Sequence, residues 1–186
     1  MMFSTYFQLG LEHILDLQGA DHMAFIVVLC AIFLLADWKR VILLATAFTL
    51  GHSLTLALAA LDLIPVNSSL IETLIPITIM ITAVFNMAYP IRSSIVHWDY
   101  LLAAGFGLIH GMGFSNFFKN MFSQKSDMFL PLLSFNLGVE LGQIVIILTL
   151  LILSWVFVNR MGIRRRDWTL FWCGLGFGMA LHIVLS

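Results

Sequence analysis

Residues 129–158 read FLPLLSFNLGVELGQIVIILTLLILSWVFV, a run in which Glu140 is the only charged side chain. A helix needs about 20 predominantly apolar residues to cross the hydrocarbon core of a bilayer. The stretch therefore predicts a transmembrane helix. Because it is longer than the bilayer requires, we expect the helix to tilt or to project beyond the membrane.

The whole chain has the same apolar character. Of its 186 residues, 61% are hydrophobic and 10% are charged, whereas soluble domains are about 45–50% apolar and about 25% charged. These values exclude a soluble globule and a disordered chain. The net charge of −1 also excludes a broadly basic surface for nucleic acid. We therefore expect residues 1–186 to form one integral membrane domain surrounded by lipid.

The sequence predicts a bundle of six transmembrane helices preceded by a short amphipathic helix. The expected spans are about 19–36, 41–61, 70–89, 99–118, 129–158 and 168–186. Pro76 predicts a kink in the third span. In the segment before the first span, polar residues recur every four positions opposite an apolar face. This helix is expected to lie at the interface or to pack against the bundle.

Positive charge predicts the orientation of the bundle. The loops after spans one, three and five hold seven Lys and Arg residues, and the loops after spans two and four hold two. Loops rich in Lys and Arg usually face the cytoplasm. Both termini are therefore expected outside. No signal peptide is recognisable at the N-terminus, so we expect the chain to be retained whole.

Ionisable side chains inside a membrane are rare and usually functional. Under this topology the spans place several at one depth, in the outer half of the bundle. The expected contributors are His13, Asp21, His22, His52, Glu72, His110, Asn136, Glu140 and His182. Ser53 follows His52, and Gln143 shares one helix face with Asn136 and Glu140.

Each member of this set also has a structural interpretation. A single buried histidine is more often a hydrogen-bonded core residue than a ligand, and Asp21 or Glu72 could simply favour a helix N-terminus. Glu140 is the exception, because a carboxylate near the midplane is costly unless it is paired. Patterns of the form GxxxG at 107–111, 138–142 and 174–178 predict close helix packing beside these groups.

Imidazole and carboxylate groups together suit a divalent transition metal. Neutral imidazole binds nickel, cobalt and zinc, while copper(I) prefers sulfur ligands. Copper stays open, because Met23, Met112 and Met179 adjoin the predicted histidines. On one unbroken helix His13 and His22 would face opposite sides about 13 Å apart, so a shared ion requires a bend near Gly19.

At these residues the sequence resembles the HupE/UreJ family of membrane proteins. The matching stretches are GLEHILDLQGADHMAF (10–25), FTLGHSLTLALA (48–59), FGLIHGMGFS (106–115) and FNLGVELGQ (135–143). The first is similar to the HX4DH motif of nickel/cobalt transporters, although seven residues separate His13 from Asp21. The resemblance implies a nickel or cobalt permease of a bacterial inner membrane, with metal ligands His13, Asp21, His22, His52, His110 and Glu140.

The leading hypothesis is a secondary transporter that imports a divalent metal ion. No GxxxxGK[ST] phosphate-binding loop is present, so the membrane potential is the expected driving force. Two alternatives remain open: an intramembrane zinc-dependent hydrolase that uses the same residues, and a scaffold that binds metal for stability alone. Six spans could also divide into two inverted sets of three, although no internal similarity stands out, and the chain could form a homo-oligomer.

Overall fold

The computed structural model describes residues 2–16, 21–90, 97–120 and 128–185, and their regular secondary structure is helical throughout. The helices are α1 (Met2–Leu15), α2 (Asp21–Cys30), α3 (Trp38–Ala60), α4 (Ser68–Ala88), α5 (His97–Asn120), α6 (Phe129–Ser154) and α7 (Arg165–Leu185). A 3-10 turn at Leu35–Asp37 leads into α3, and a π-helical turn at Trp155–Arg160 extends α6.

Four of the described helices are long and apolar enough to cross a bilayer. They are α3 with its preceding turn, α4, α6 with its π-helical turn, and α7. α4 begins where the Asn67 side chain accepts a hydrogen bond from the backbone N–H of Leu70, and it continues through Pro76 to Ala88. The prediction of an all-helical membrane protein is confirmed. The number of six spans and the orientation of the termini stay predictions.

The first predicted span, 19–36, is not one helix in the structure. α2 has ten residues and is therefore about 15 Å long, half the thickness of the hydrocarbon. α1 precedes it along α6: Gly10 packs on Phe135, whereas Cys30 at the end of α2 lines a small cavity with Leu150. The amphipathic helix thus packs against the bundle, in series with α2. The bend expected near Gly19 lies outside the described residues.

Two glycine positions bring α3 and α5 into backbone contact. A Cβ atom added at Gly51 would overlap the carbonyl group of Ala104, and one added at Gly107 would overlap the carbonyl group of Phe48. Small residues let membrane helices approach in this way. The close approach matters because His52 of α3 and His110 of α5 lie within one turn of these contacts.

α1 and α6 pack by the same device. A Cβ atom at Gly10 would overlap the carbonyl group of Phe135, and one at Gly138 would overlap that of Phe7. The pattern at 174–178, by contrast, leaves both of its glycines without a described neighbour within 4 Å. The prediction of close packing at 174–178 was therefore wrong, because that face of α7 meets no other described helix.

Side chains of α4 and α7 satisfy carbonyl groups in the last turn of α2 and in the two residues that follow it. The last carbonyls of a helix lack partners within the helix, and burial makes an unsatisfied carbonyl costly. The donor and acceptor pairs are Asn86 to Val28, Thr169 to Ala31 and Arg165 to Ile32. These bonds fix the position of α2, and with it the histidine in its first turn.

Ring contacts give the relative directions of the helices. α2 and α3 run in opposite directions, because Phe25 stacks on Phe48 while His22, one turn earlier, approaches His52, one turn later. α3 and α5 are parallel to each other, as their glycine contacts require. α1 and α6 point in the same direction as α2. We call the end of the bundle at Asn120 the upper end.

We predict that Gly107→Ala lowers the stability of the bundle by about 1–3 kcal/mol or more, because the new methyl group forces α3 and α5 apart. Gly105→Ala is the matched control on the same helix, since its Cβ would meet nothing within 4 Å among the described residues. Alanine there should be neutral or stabilising by up to about 1 kcal/mol. Thermal unfolding in detergent, followed by circular dichroism, checks both. Equal effects of the two substitutions would contradict the packing described.

Candidate metal centre

Four histidines from four different helices bring their rings together inside the bundle. They are His13 of α1, His22 of α2, His52 of α3 and His110 of α5. The His22 ring centroid lies 4.6 Å from that of His13, 5.8 Å from His52 and 5.1 Å from His110, and His13 lies 6.2 Å from His52. We call these four residues the imidazole cluster.

Asp21 fixes the tautomer of His22. The Nδ1 atom of His22 lies 3.0 Å from Oδ1 of Asp21, and an ionised carboxylate can only accept a hydrogen bond. Nδ1 therefore carries the proton, which leaves a lone pair on Nε2. This Nε2 atom is buried and has no hydrogen-bond partner in the described part of the chain. A carboxylate that orients a histidine in this way is a common arrangement behind metal ligands.

Thr78 likewise fixes the tautomer of His110. The Thr78 hydroxyl donates its single proton to the carbonyl oxygen of Ile75 at 2.7 Å. Its contact of 3.1 Å with Nε2 of His110 must then be one in which the ring donates. The lone pair of His110 therefore lies on Nδ1, which is buried and, as far as the structure is described, without a partner.

The other two rings are also unsatisfied. His52 is fully buried, and neither of its ring nitrogens has a described hydrogen-bond partner. The Nε2 atom of His13 is in the same position. A buried polar atom left unpaired costs about 1–3 kcal/mol. The cluster thus gathers five such nitrogens. Because one of the two His52 nitrogens carries a proton in the neutral ring, they offer at most four lone pairs, one from each ring. A metal ion that accepts these lone pairs would offset the cost.

The ring spacing can be compared with that of a metal site. Two imidazoles on one tetrahedral ion, with metal–nitrogen bonds of about 2.0–2.1 Å, have ring centroids about 5 Å apart. The distances in the cluster bracket this value. As placed, however, no group of three or more described His, Cys, Asp or Glu side chains has the geometry to hold a metal ion. Shared coordination therefore requires the rings to change their orientation.

Glu140 lies in a polar seam between α3 and α6. Its Oε1 atom accepts a hydrogen bond of 2.6 Å from the Thr46 hydroxyl. The residues three positions later on each helix are also in contact, because the Thr49 hydroxyl lies 2.9 Å from Oε1 of Gln143. Glu140 is half-buried and Gln143 fully buried. The structure thus pairs this carboxylate with a hydroxyl donor, beside the helix that carries His52.

The remaining predicted residues have different surroundings. The Asn136 side chain is half-buried, and its buried Oδ1 atom lacks a described partner. Ser53 donates its hydroxyl proton to the backbone carbonyl of Thr49 at 2.7 Å, which occupies it within its own helix. Glu72 and His182 are exposed, unlike the four clustered histidines. The structure therefore separates these two from the other candidates.

Two layers of phenylalanine enclose the imidazole cluster. On the lower side Phe25 stacks on Phe48 with ring centroids 4.8 Å apart, and both rings approach His110, at 5.2 and 5.1 Å. On the upper side Phe114 stacks on Phe135 at 5.0 Å, and both approach His13, at 4.0 and 5.6 Å. We call these pairs the lower and the upper phenylalanine layer.

Two cavities approach the cluster from different directions. One of about 510 Å³ reaches His13 and Phe114, and Glu12 and Asp16 contribute carboxylates to its wall. The other, of about 160 Å³, lies below the lower layer and is lined by apolar residues together with Thr82, Asn86 and Asp99. An ion that left the cluster downward would have to pass the lower layer to reach it.

Sequence reasoning missed Thr46 and Thr78, which supply the contacts to Glu140 and His110. Threonine is common on membrane helices, so neither position stands out. Thr78 gave one weak signal, because it is a polar residue on a face of α4 that otherwise buries Ile71, Ile75 and Ile79. The phenylalanine layers were missed as well, since sixteen phenylalanines offer no way to choose four.

Comparison with known proteins gives one match. The family model described as HupE / UreJ protein matches residues 1–185. No curated protein and no solved structure matches the chain. The family is one of membrane proteins related to nickel or cobalt transport. Because the match covers essentially the whole chain, including every residue of the imidazole cluster, the chain belongs to the HupE/UreJ family.

Proposed function

We propose that this protein imports a divalent transition-metal ion, nickel or cobalt, across a bacterial inner membrane. The observation that carries the proposal is the set of five unpaired ring nitrogens in the imidazole cluster. Nitrogen lone pairs from neutral imidazole suit nickel, cobalt and zinc, whereas copper(I) prefers sulfur ligands. Asp21 and Thr78 hold two of the rings with their lone pairs free for such an ion.

The acidic cavity beside His13 is the proposed point of entry. Glu12 and Asp16 line this cavity, and carboxylates in a cleft raise the local concentration of cations. We place the upper end and both termini on the periplasmic side, in keeping with the distribution of Lys and Arg. The membrane potential then favours the entry of a divalent ion by about 4.6 kcal/mol per 100 mV.

Glu140 is proposed to compensate the charge of the ion. A doubly charged ion in an apolar interior needs negative charge nearby, and Asp21 already contacts the cluster. Glu140 adds a second carboxylate on α6, and the Thr46 hydroxyl orients it. A divalent ion and two carboxylates would leave the interior without net charge.

The placement of the cluster favours transport over hydrolysis. A zinc hydrolase would use the same imidazoles, with one coordination position open to water. Here the rings lie between two phenylalanine layers. One cavity reaches His13 and Phe114 on the upper side, and the other lies below the lower layer. A site that can be approached from two directions suits passage of an ion. Tight binding of zinc without flux would instead favour the hydrolase or the scaffold.

Uptake of Ni²⁺ and Co²⁺ into proteoliposomes tests the proposal. We predict that His52→Ala and Glu140→Gln each reduce flux to below about a tenth of the wild-type rate, as the loss of one group from a metal site typically does. The glutamine keeps an oxygen that can accept from Thr46 and removes only the charge.

His182→Ala is the matched control for these flux measurements, because its side chain is exposed near the end of α7. It should transport at the wild-type rate. Wild-type vesicles that take up neither metal above the level of empty liposomes would contradict the proposed function. Assays of lipid and peptide hydrolysis would then be the next step.

The contact of Thr78 with His110 generates a second prediction. Thr78→Val keeps the shape of the side chain and removes the oxygen that accepts from Nε2. We expect the affinity for Co²⁺ to fall by about 10–100-fold, the usual effect of losing such a partner. Thr73→Val is the control, since the exposed hydroxyl of Thr73 donates to the carbonyl of Ser69 one turn back on its own helix. Equal affinities of the two variants, measured by titration in detergent, would refute the orienting role.

A further inference from the structure

The two glycine-packed helix pairs are equivalent position by position. Gly10 of α1 meets the backbone of Phe135 and Val139 on α6, just as Gly107 of α5 meets that of Phe48 and His52 on α3. The correspondence pairs α1 with α5 and α6 with α3.

The reverse contacts obey the same correspondence. Gly138 meets Phe7 and Leu11, and Gly51 meets Ala104 and Leu108. Two independent sets of contacts thus give the same alignment of α1 on α5 and of α6 on α3.

This alignment exposes a sequence similarity that was not visible beforehand. Residues 10–13 read GLEH and the aligned residues 107–110 read GLIH, while 48–51 read FTLG and 135–138 read FNLG. His13 is therefore the equivalent of His110, and Phe48 that of Phe135. Because α1 and α6 run opposite to α5 and α3, the two halves form an inverted repeat. The imidazole cluster lies where the halves meet.

The equivalence extends to the phenylalanine layers. The ring of Phe48 lies 5.1 Å from that of His110, and the ring of the equivalent Phe135 lies 5.6 Å from that of the equivalent His13. Each of these phenylalanines also stacks on one further ring, Phe25 below and Phe114 above. Phe48 and Phe135 are both almost wholly buried, at 2% and 0% exposure. One contact is thus made twice, on opposite sides of the cluster.

We propose that Phe48 and Phe135 are paired gates that open in turn to the two sides of the membrane. This inference rests on the proposed transport of a metal ion. Inverted repeats commonly exchange conformations so that a central site faces each side alternately. In one state of this protein the stack of Phe135 on Phe114 would break while that of Phe48 on Phe25 stays closed. In the other state the stack of Phe48 on Phe25 would break while that of Phe135 on Phe114 stays closed.

The experiment uses the full chain in vesicles in which every molecule faces the same way, loaded with Co²⁺ as the probe. A chelator that cannot cross the membrane is added on one side, and the loss of bound Co²⁺ is followed by its visible absorption. Phe135→Ala should speed removal about tenfold from the upper side only, because the stacked pair stabilises the closed layer. Phe48→Ala should do so from the lower side only. Phe171→Ala, at an exposed position of α7, should leave both rates unchanged.

Equal rates from both sides, or no change in either variant, would overturn the gates. If an alanine variant no longer binds Co²⁺, Phe48→Leu and Phe135→Leu replace it, since leucine keeps the apolar contact and removes the stacked ring. Wild-type flux measured on the same vesicles separates the two proposals. Flux without one-sided removal refutes the gates alone, whereas one-sided removal without flux refutes transport alone.

Discussion

The central constraint on this structure is a set of unpaired imidazole nitrogens in an apolar interior. Four rings from α1, α2, α3 and α5 meet there, and five of their nitrogens have no hydrogen-bond partner among the described residues. Leaving so many polar atoms buried and unpaired is costly for a protein that only has to fold. Asp21 and Thr78 each accept a hydrogen bond from the protonated nitrogen of one ring, His22 and His110 respectively. The second nitrogen of each ring therefore keeps its lone pair.

The remainder of the fold holds these rings in place. Glycines let α3 approach α5, and α1 approach α6, until their backbones are in contact. These four helices therefore pack closely around the imidazole cluster. Side chains of α4 and α7 cap α2, which is too short to cross a membrane alone. α1 ends at Leu15 and α2 begins at Asp21, and the rings of His13 and His22 lie 4.6 Å apart, which one straight helix could not achieve.

Much of this could be predicted from the sequence, and the limits have physical causes. Composition and long apolar runs predicted an all-helical membrane protein. Of the six expected metal ligands, the four histidines lie together and Asp21 contacts one of them. The first span was misplaced because hydropathy averages over a break and merges a short helix with its flanks. The inverted repeat escaped notice because it is carried by a few positions, GLEH with GLIH and FTLG with FNLG, which only the backbone contacts align. Thr78 could not be predicted as a site residue, because its role depends on one hydrogen bond between α4 and α5.

X-ray absorption spectroscopy of the protein loaded with one equivalent of Ni²⁺ or Co²⁺ tests the central claim most directly. Imidazole rings scatter from their outer atoms in a recognisable pattern, so the method counts histidine ligands without reference to flux. Metal held by the cluster should show three or four imidazole nitrogens, and one fewer in His52→Ala. A metal bound only through oxygen, or with an imidazole count that His52→Ala leaves unchanged, would contradict the account.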